Sequence, residues 1–112
     1  MAETVEIPFR CDVETHEEEG GVKVTTVLCH GRLINQTSEQ LKSVVKPMIP
    51  QGGKIFIDLT DVNFIDSMGL GTLVGLKVSA INEGYVTLTL VNVGPRIQEL
   101  LKITNLAHLF PS

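Results

Sequence analysis

No run of apolar residues in this 112-residue chain approaches the ~20 needed to span a bilayer. The opening Met-Ala-Glu-Thr-Val-Glu is acidic where an export signal is basic, and it lacks the apolar stretch such a signal carries. A cytoplasmic protein is the expectation. Positive charge is scarce as well: nine Lys and Arg stand against thirteen Asp and Glu, a formal charge of −4. That balance opposes direct attraction to nucleic acid or an anionic membrane and suits a basic or mixed-charge protein partner. Cysteine is limited to Cys11 and Cys29, without Cys-x-x-Cys spacing. The two flank the turn at residues 17–21, so a hairpin would bring them together and a disulfide is geometrically conceivable. A reducing compartment argues instead for two free, packed thiols. His16, His30 and His108 are far apart, and none has a second ligand three or four residues away in a helical pattern. Zinc and imidazole catalysis are therefore disfavoured. Also missing are a Gly-x-x-x-x-Gly-Lys-Ser/Thr run to cradle a nucleotide and a Gly-x-Ser-x-Gly elbow, and His108 has no obvious acidic partner to orient it. No repeat or low-complexity segment is evident.

What is present is a 43% hydrophobic chain, long enough for one cored domain over residues 1–112 and too short for two. Val5 to Val13 reads as a first strand and Val22 to Cys29, with its alternation, as a second, the acidic turn between them making a hairpin. Thr37 followed by Gln40 has the spacing of a capping box, after which Leu41, Val44, Val45 and Met48 take helical spacing until Pro47 and the Pro50-Gln51-Gly52-Gly53 run end it. Lys54 to Leu59 reads as a buried strand, followed by a loop and a second helix reaching about Asn82, with Gly84 in the C-terminal role. Val86 to Val93 alternates as a strand, and Gly94-Pro95 opens a last helix through Ile97, Leu100 and Leu101. The order β-β-α-β-α-β-α predicts a compact α/β domain with a mixed β-sheet: parallel strands joined by right-handed crossovers, plus an antiparallel edge from the N-terminal hairpin.

Chemistry concentrates in residues 58–71, Asp-Leu-Thr-Asp-Val-Asn-Phe-Ile-Asp-Ser-Met-Gly-Leu-Gly. Ser67 falls at the start of the second helix, where unpaired backbone N–H groups and the positive dipole end await an oxygen acceptor. Two roles are open to it: a helix cap, or the carrier of a phosphate that this end would accommodate. Asp66 is a second candidate cap, or a carboxylate that orients the hydroxyl and assists proton removal. Asp58, Asp61 and Asp66 cluster in sequence, and two carboxylates suffice to begin a divalent-ion site, yet nothing in the chain cradles a nucleotide beside them. Gly69, Gly71 and Gly75 fall inside the predicted helix, each costing up to about 1 kcal/mol relative to alanine. For Gly75 the expectation is close packing on the sheet. For Gly69 it is a bare backbone that another protein approaches, with Met68 and Leu70 offering adaptable apolar contact.

The same stretch resembles the signature of STAS domains, and within them the bacterial anti-sigma-factor antagonists, whose motif runs Asp-Leu-Ser-x-Val-x-Phe-Ile-Asp-Ser-x-Gly-Leu-Gly. Thr60 stands where serine is common and Met68 where a second small residue is common. Gly31-Arg32-Leu33 looks like the family's Gly-x-Leu before the first helix, and Leu106 to Phe110 like its closing segment. The acidic residue often found after Gly-x-Leu is replaced here by Ile34-Asn35. The resemblance implies the STAS topology with helices mostly on one face of the sheet, and a non-enzymatic regulator without a cofactor of its own. It further implies that Ser67 is phosphorylated by a partner serine kinase that doubles as an anti-sigma factor and supplies the ATP and Mg²⁺, and that a PP2C-type phosphatase reverses the modification. Asp61, Asp66, Ser67, Met68, Gly69 and Leu70 are then the expected partner surface. The rival is a constitutive STAS scaffold or transport-complex subunit in which Ser67 is only a helix cap; a small-ligand-binding STAS module is a third reading.

Overall fold

In the computed structural model, which describes residues 8–110, strict alternation of side chains decides which face of the sheet is covered. Val27 and Cys29, Ile55, Ile57 and Leu59, and Leu88 and Leu90 point to one side and are buried to 8% exposure or less. Their neighbours Thr26, Leu28, Phe56, Asp58 and Thr89 point to the other and remain partly open. The strands are β1 (Arg10–Glu17), β2 (Lys23–Leu33), β3 (Gly53–Ile65) and β4 (Val86–Val91), and the helices α1 (Asn35–Val45), α2 (Ser67–Glu83) and α3 (Pro95–Ile103), with short 3₁₀ segments at Glu19–Gly21, Lys46–Gln51 and Ala107–Leu109. The sheet order is β1-β2-β3-β4, with β1 antiparallel to β2 and the other pairs parallel. Leu41 and Val45 of α1, Leu73, Leu76 and Ala80 of α2, and Ile97 and Leu101 of α3 join the sheet's buried side chains in one apolar cluster. The domain is thus a four-stranded mixed sheet with three α-helices packed into a common core.

Several boundaries differ from the sequence reading, each for a local reason. The first strand runs over Arg10–Glu17 rather than Val5–Val13, and residues 5–7 of the expected strand lie outside the described residues. Among the described residues it is an edge strand paired through β2 alone, so polar side chains are tolerated on both faces and weaken the apolar signal. Thr37 is not the cap of α1 but its third residue: the hydroxyl accepts from the Ile34 amide at 2.9 Å and donates to the Arg32 carbonyl at 2.6 Å. Gln40 reaches away to the Phe9 carbonyl, 3.1 Å, instead of back to the cap. The helix ends at Val45, and Met48 falls in the 3₁₀ segment that Pro47 enters.

The largest difference lies in the motif. β3 does not stop at Leu59 but continues to Ile65, pairing with His30 to Leu33 of β2, so the expected loop is strand. A register irregularity between Leu28 and His30 accommodates the Asp58–Thr60 stretch, where the Asp58 carboxylate accepts from the Thr60 amide and hydroxyl at 2.9 and 2.6 Å. One residue, Asp66, then joins β3 to α2.

Candidate functional site

A strand that turns into a helix within a single residue leaves that residue to cap the helix, and Asp66 does so with extended backbone. Its Oδ1 accepts from the Gly69 amide at 2.8 Å, and its Oδ2 from the Asn35 amide at 3.0 Å, the first residue of α1. One carboxylate thereby satisfies donors at the starts of two helices and fixes them against each other. Its pKa is held below the ordinary carboxylate value chiefly by the Gly69 amide, with help from those of Asn35 and Met68 and in spite of desolvation.

Ser67 is therefore not the cap expected as one of its two roles; it is the first residue of α2, exposed, and no hydrogen bond among the described residues engages its side chain. Met68 beside it is 56% exposed. The glycine assignments are reversed. A Cβ on Gly69 would stand 2.1 Å from the Leu33 carbonyl oxygen and 3.0 Å from Ile65 Cγ1, whereas one on Gly75 or Gly71 would meet nothing within 4 Å. Gly69 lets α2 sit on the end of β2, and the bare backbone faces solvent at Gly71 and Gly75. Leu70 is buried too, at 7% exposure, so neither Gly69 nor Leu70 presents a contact surface.

The carboxylates that cluster in sequence are engaged by different partners. Asp58 is engaged by Thr60 and by the Asn92 amide at 3.0 Å; burial pushes its carboxyl up, but those hydrogen bonds and the nearby His30 hold it below its ordinary value. Asp61 meets His30 Nδ1 at 2.7 Å, and the other ring nitrogen faces Asp12 at 3.0 Å. It lies on β3, six residues before Ser67, with His30 as its partner. Among the described residues no group of three or more His, Cys, Asp or Glu side chains is placed to hold a metal ion.

The sequence reading passed over a feature at the end of β3, a few residues before the serine. Phe64 points away from the core, 44% exposed, with the Arg32 guanidinium 5.2 Å from its ring centroid. It forms a ridge between two hollows. One, about 620 Å³, is lined by Phe9, Arg32, Ile34, Thr37, Phe64 and Asp66; the other, about 450 Å³, by Val62, Phe64, Ile65, Pro95, Arg96 and Ile97. Only the short Val62-Asn63-Phe64 alternation hinted at Phe64, because burial from Leu59 to Ile65 does not follow a period of two, and the hint becomes readable only once β3 is known to continue.

A family model for the STAS domain matches residues 13–112. The chain belongs to the STAS domain family. Among its relatives, this STAS domain is 36% identical over 80 residues to the anti-sigma-B factor antagonist of Staphylococcus aureus, covering 70% of this chain and 73% of that one. Of solved structures, it is similar to a putative anti-sigma factor antagonist from Thermotoga maritima (25% identity, TM-score 0.71, 88% and 82% of the two chains covered). It shares the fold of the Bacillus cell fate determinant SpoIIAA in its phosphorylated form (20% identity, TM-score 0.66, 92% and 88% covered). No helix among the described residues of this STAS domain is long and apolar enough to cross a membrane.

Proposed function

We propose that this protein is an anti-sigma-factor antagonist that works by partner switching in the cytoplasm: with Ser67 unmodified it captures an anti-sigma factor serine kinase, and phosphate on Ser67 ends the capture. The observation that carries the reading is the exposed Ser67 at the first position of α2, its side chain disengaged because Asp66 performs the capping. A serine with no structural task is what the scaffold alternative, in which Ser67 serves only as the cap, does not call for. The relation to the anti-sigma-B factor antagonist of S. aureus supports the choice of partner class.

The physical logic is electrostatic. Phosphate adds about −1.5 to −2 charges at pH 7, next to the Asp66 carboxylate and inside a contact centred on Ser67, Met68 and the Phe64 ridge. The α2 N-terminus tolerates that charge, so the fold survives while the interface does not. The protein itself performs no chemistry in this scheme; the kinase brings ATP and Mg²⁺, and a PP2C-type phosphatase resets the serine. The test is phosphosite mapping after incubation with the kinase and ATP. Phosphate on Ser67, absent from Ser67→Ala, is the expected result; modification elsewhere, or none, removes the proposal.

A further inference from the structure

The side chains of the edge strand β1 are exposed except that of Cys11, which is half-buried. In the antiparallel register Cys11 stands directly opposite Cys29 of β2. Opposed residues of such a pair have Cα atoms about 4.5 or 5.5 Å apart, within the about 4.4–6.8 Å that disulfides accept. Both are free thiols. They are unequal partners. Cys29 is 1% exposed within the apolar core, while Cys11 is half-buried and reachable from solvent.

We propose that Cys11 and Cys29 form an oxidation site at which a hydroperoxide joins the two thiols into a disulfide between β1 and β2. Cys11 is the attacking sulfur. The hydrogen bond from Cys29 holds its thiol below the ordinary value, against burial and the Asp12 charge, and the same contact together with burial pushes the Cys29 thiol up. A solvent-reachable thiol beside a resolving thiol is the arrangement that oxidant-sensing cysteines need. In the first step the Cys11 thiolate attacks a peroxide oxygen: an S–O bond forms, the O–O bond breaks, and the second oxygen leaves as hydroxide and takes a proton to become water. The sulfenic acid that results no longer offers Cys29 a neighbouring thiolate. Cys29 sulfur then attacks the Cys11 sulfur; the S–S bond forms, the S–O bond breaks, and the hydroxyl departs as water with the Cys29 proton. Two electrons pass from the thiols to the peroxide, and a thiol reductant returns them.

The cross-link fastens a strand that, among the described residues, is paired along one edge. It also acts near the Arg32–Phe64 hollow, since Phe9, two residues before Cys11, is buried, lines that hollow and accepts from Gln40 of α1. The site needs nothing from the reading of Ser67. In the test, the reduced full-length protein is treated with hydrogen peroxide and its intact mass and free thiols are measured. Loss of about 2 Da and of both alkylatable thiols in a monomer, reversed by dithiothreitol, is expected. Cys29→Ala, which also removes the contact that lowers the Cys11 thiol, reacts more slowly and stops at a Cys11 sulfenic acid that dimedone traps, and Cys11→Ala leaves Cys29 unreacted at the same dose. Wild-type protein that keeps both thiols, couples between chains, or carries Cys11 to sulfinic acid beside an intact Cys29 thiol overturns the proposal, whatever the variants do.

Discussion

Replacing Gly69 and Gly75 by alanine, one at a time, should move stability in opposite directions although both lie in α2. Alanine in a helix interior is favoured over glycine by about 0.5–1 kcal/mol. At Gly75 nothing opposes that gain, because the new methyl meets no atom within 4 Å. At Gly69 the methyl would lie 2.1 Å from the Leu33 oxygen and 2.8 Å from its carbonyl carbon, both backbone atoms that no rotamer change can move aside. The end of β2 and the start of α2 must separate, weakening the Asp66 amide bond to the Leu33 carbonyl, now 3.3 Å. Such overpacking costs about 1–3 kcal/mol, which exceeds the propensity gain at most of that range. With about 4–8 °C per kcal/mol for a domain near this size, Gly75→Ala should melt a few degrees higher than wild type and Gly69→Ala roughly 5–15 °C lower. Thermal and urea unfolding followed by circular dichroism make the comparison, with an unchanged urea slope showing that stability alone has moved. Gly69→Ala as stable as wild type, or Gly75→Ala clearly less stable, would refute the assignment of Gly69 to packing and Gly75 to open surface.

Asp66 and Asp58 have carboxyl groups held below their ordinary values, so each contributes stability that is complete above the unfolded-state pKa and lost as pH falls through the lower folded-state value. Asp66→Asn should therefore flatten the acid side of the stability profile, and an unchanged profile would remove Asp66 from its role. Phe64→Ala and Met68→Ala take away exposed side chains; melting temperatures should hold within a few degrees while affinity for the kinase drops at least tenfold, about 1.4 kcal/mol. Phosphate on Ser67 gains about 0.3–1 kcal/mol from the helix end and loses a comparable amount to Asp66. Phosphorylated protein should thus melt close to the unmodified form, and unfolding on modification would place control in conformation rather than at the surface.

The architecture was legible because alternation and turn residues agree along most of the chain: Thr87-Leu88-Thr89-Leu90 can only be a half-buried strand, and Gly84 and Pro95 mark helix boundaries that the structure reproduces. The continuation of β3 was obscured because Asp61 and Asn63 resemble loop residues, and their acceptance depends on β2 lying alongside, a tertiary fact. The same dependence hid the site. Whether Ser67 or Asp66 caps α2 turns on which residue leaves the strand last, and adjacent Ser and Asp are both good caps. The reversed glycines follow from the same limit, since helical spacing alone does not say which side of α2 meets Leu33. Phe64 and Arg32 come from different strands and meet only in the folded sheet.

The central claim concerns charge at one hydroxyl, and the most direct measurement is the affinity of one kinase preparation for the unmodified protein and for the same protein stoichiometrically phosphorylated on Ser67. Calorimetric titration without ATP keeps the modification state fixed during the experiment. Affinity should fall at least a hundredfold on phosphorylation, about 2.7 kcal/mol, with Ser67→Ala binding like the unmodified form. Equal affinity of the two forms would contradict the account.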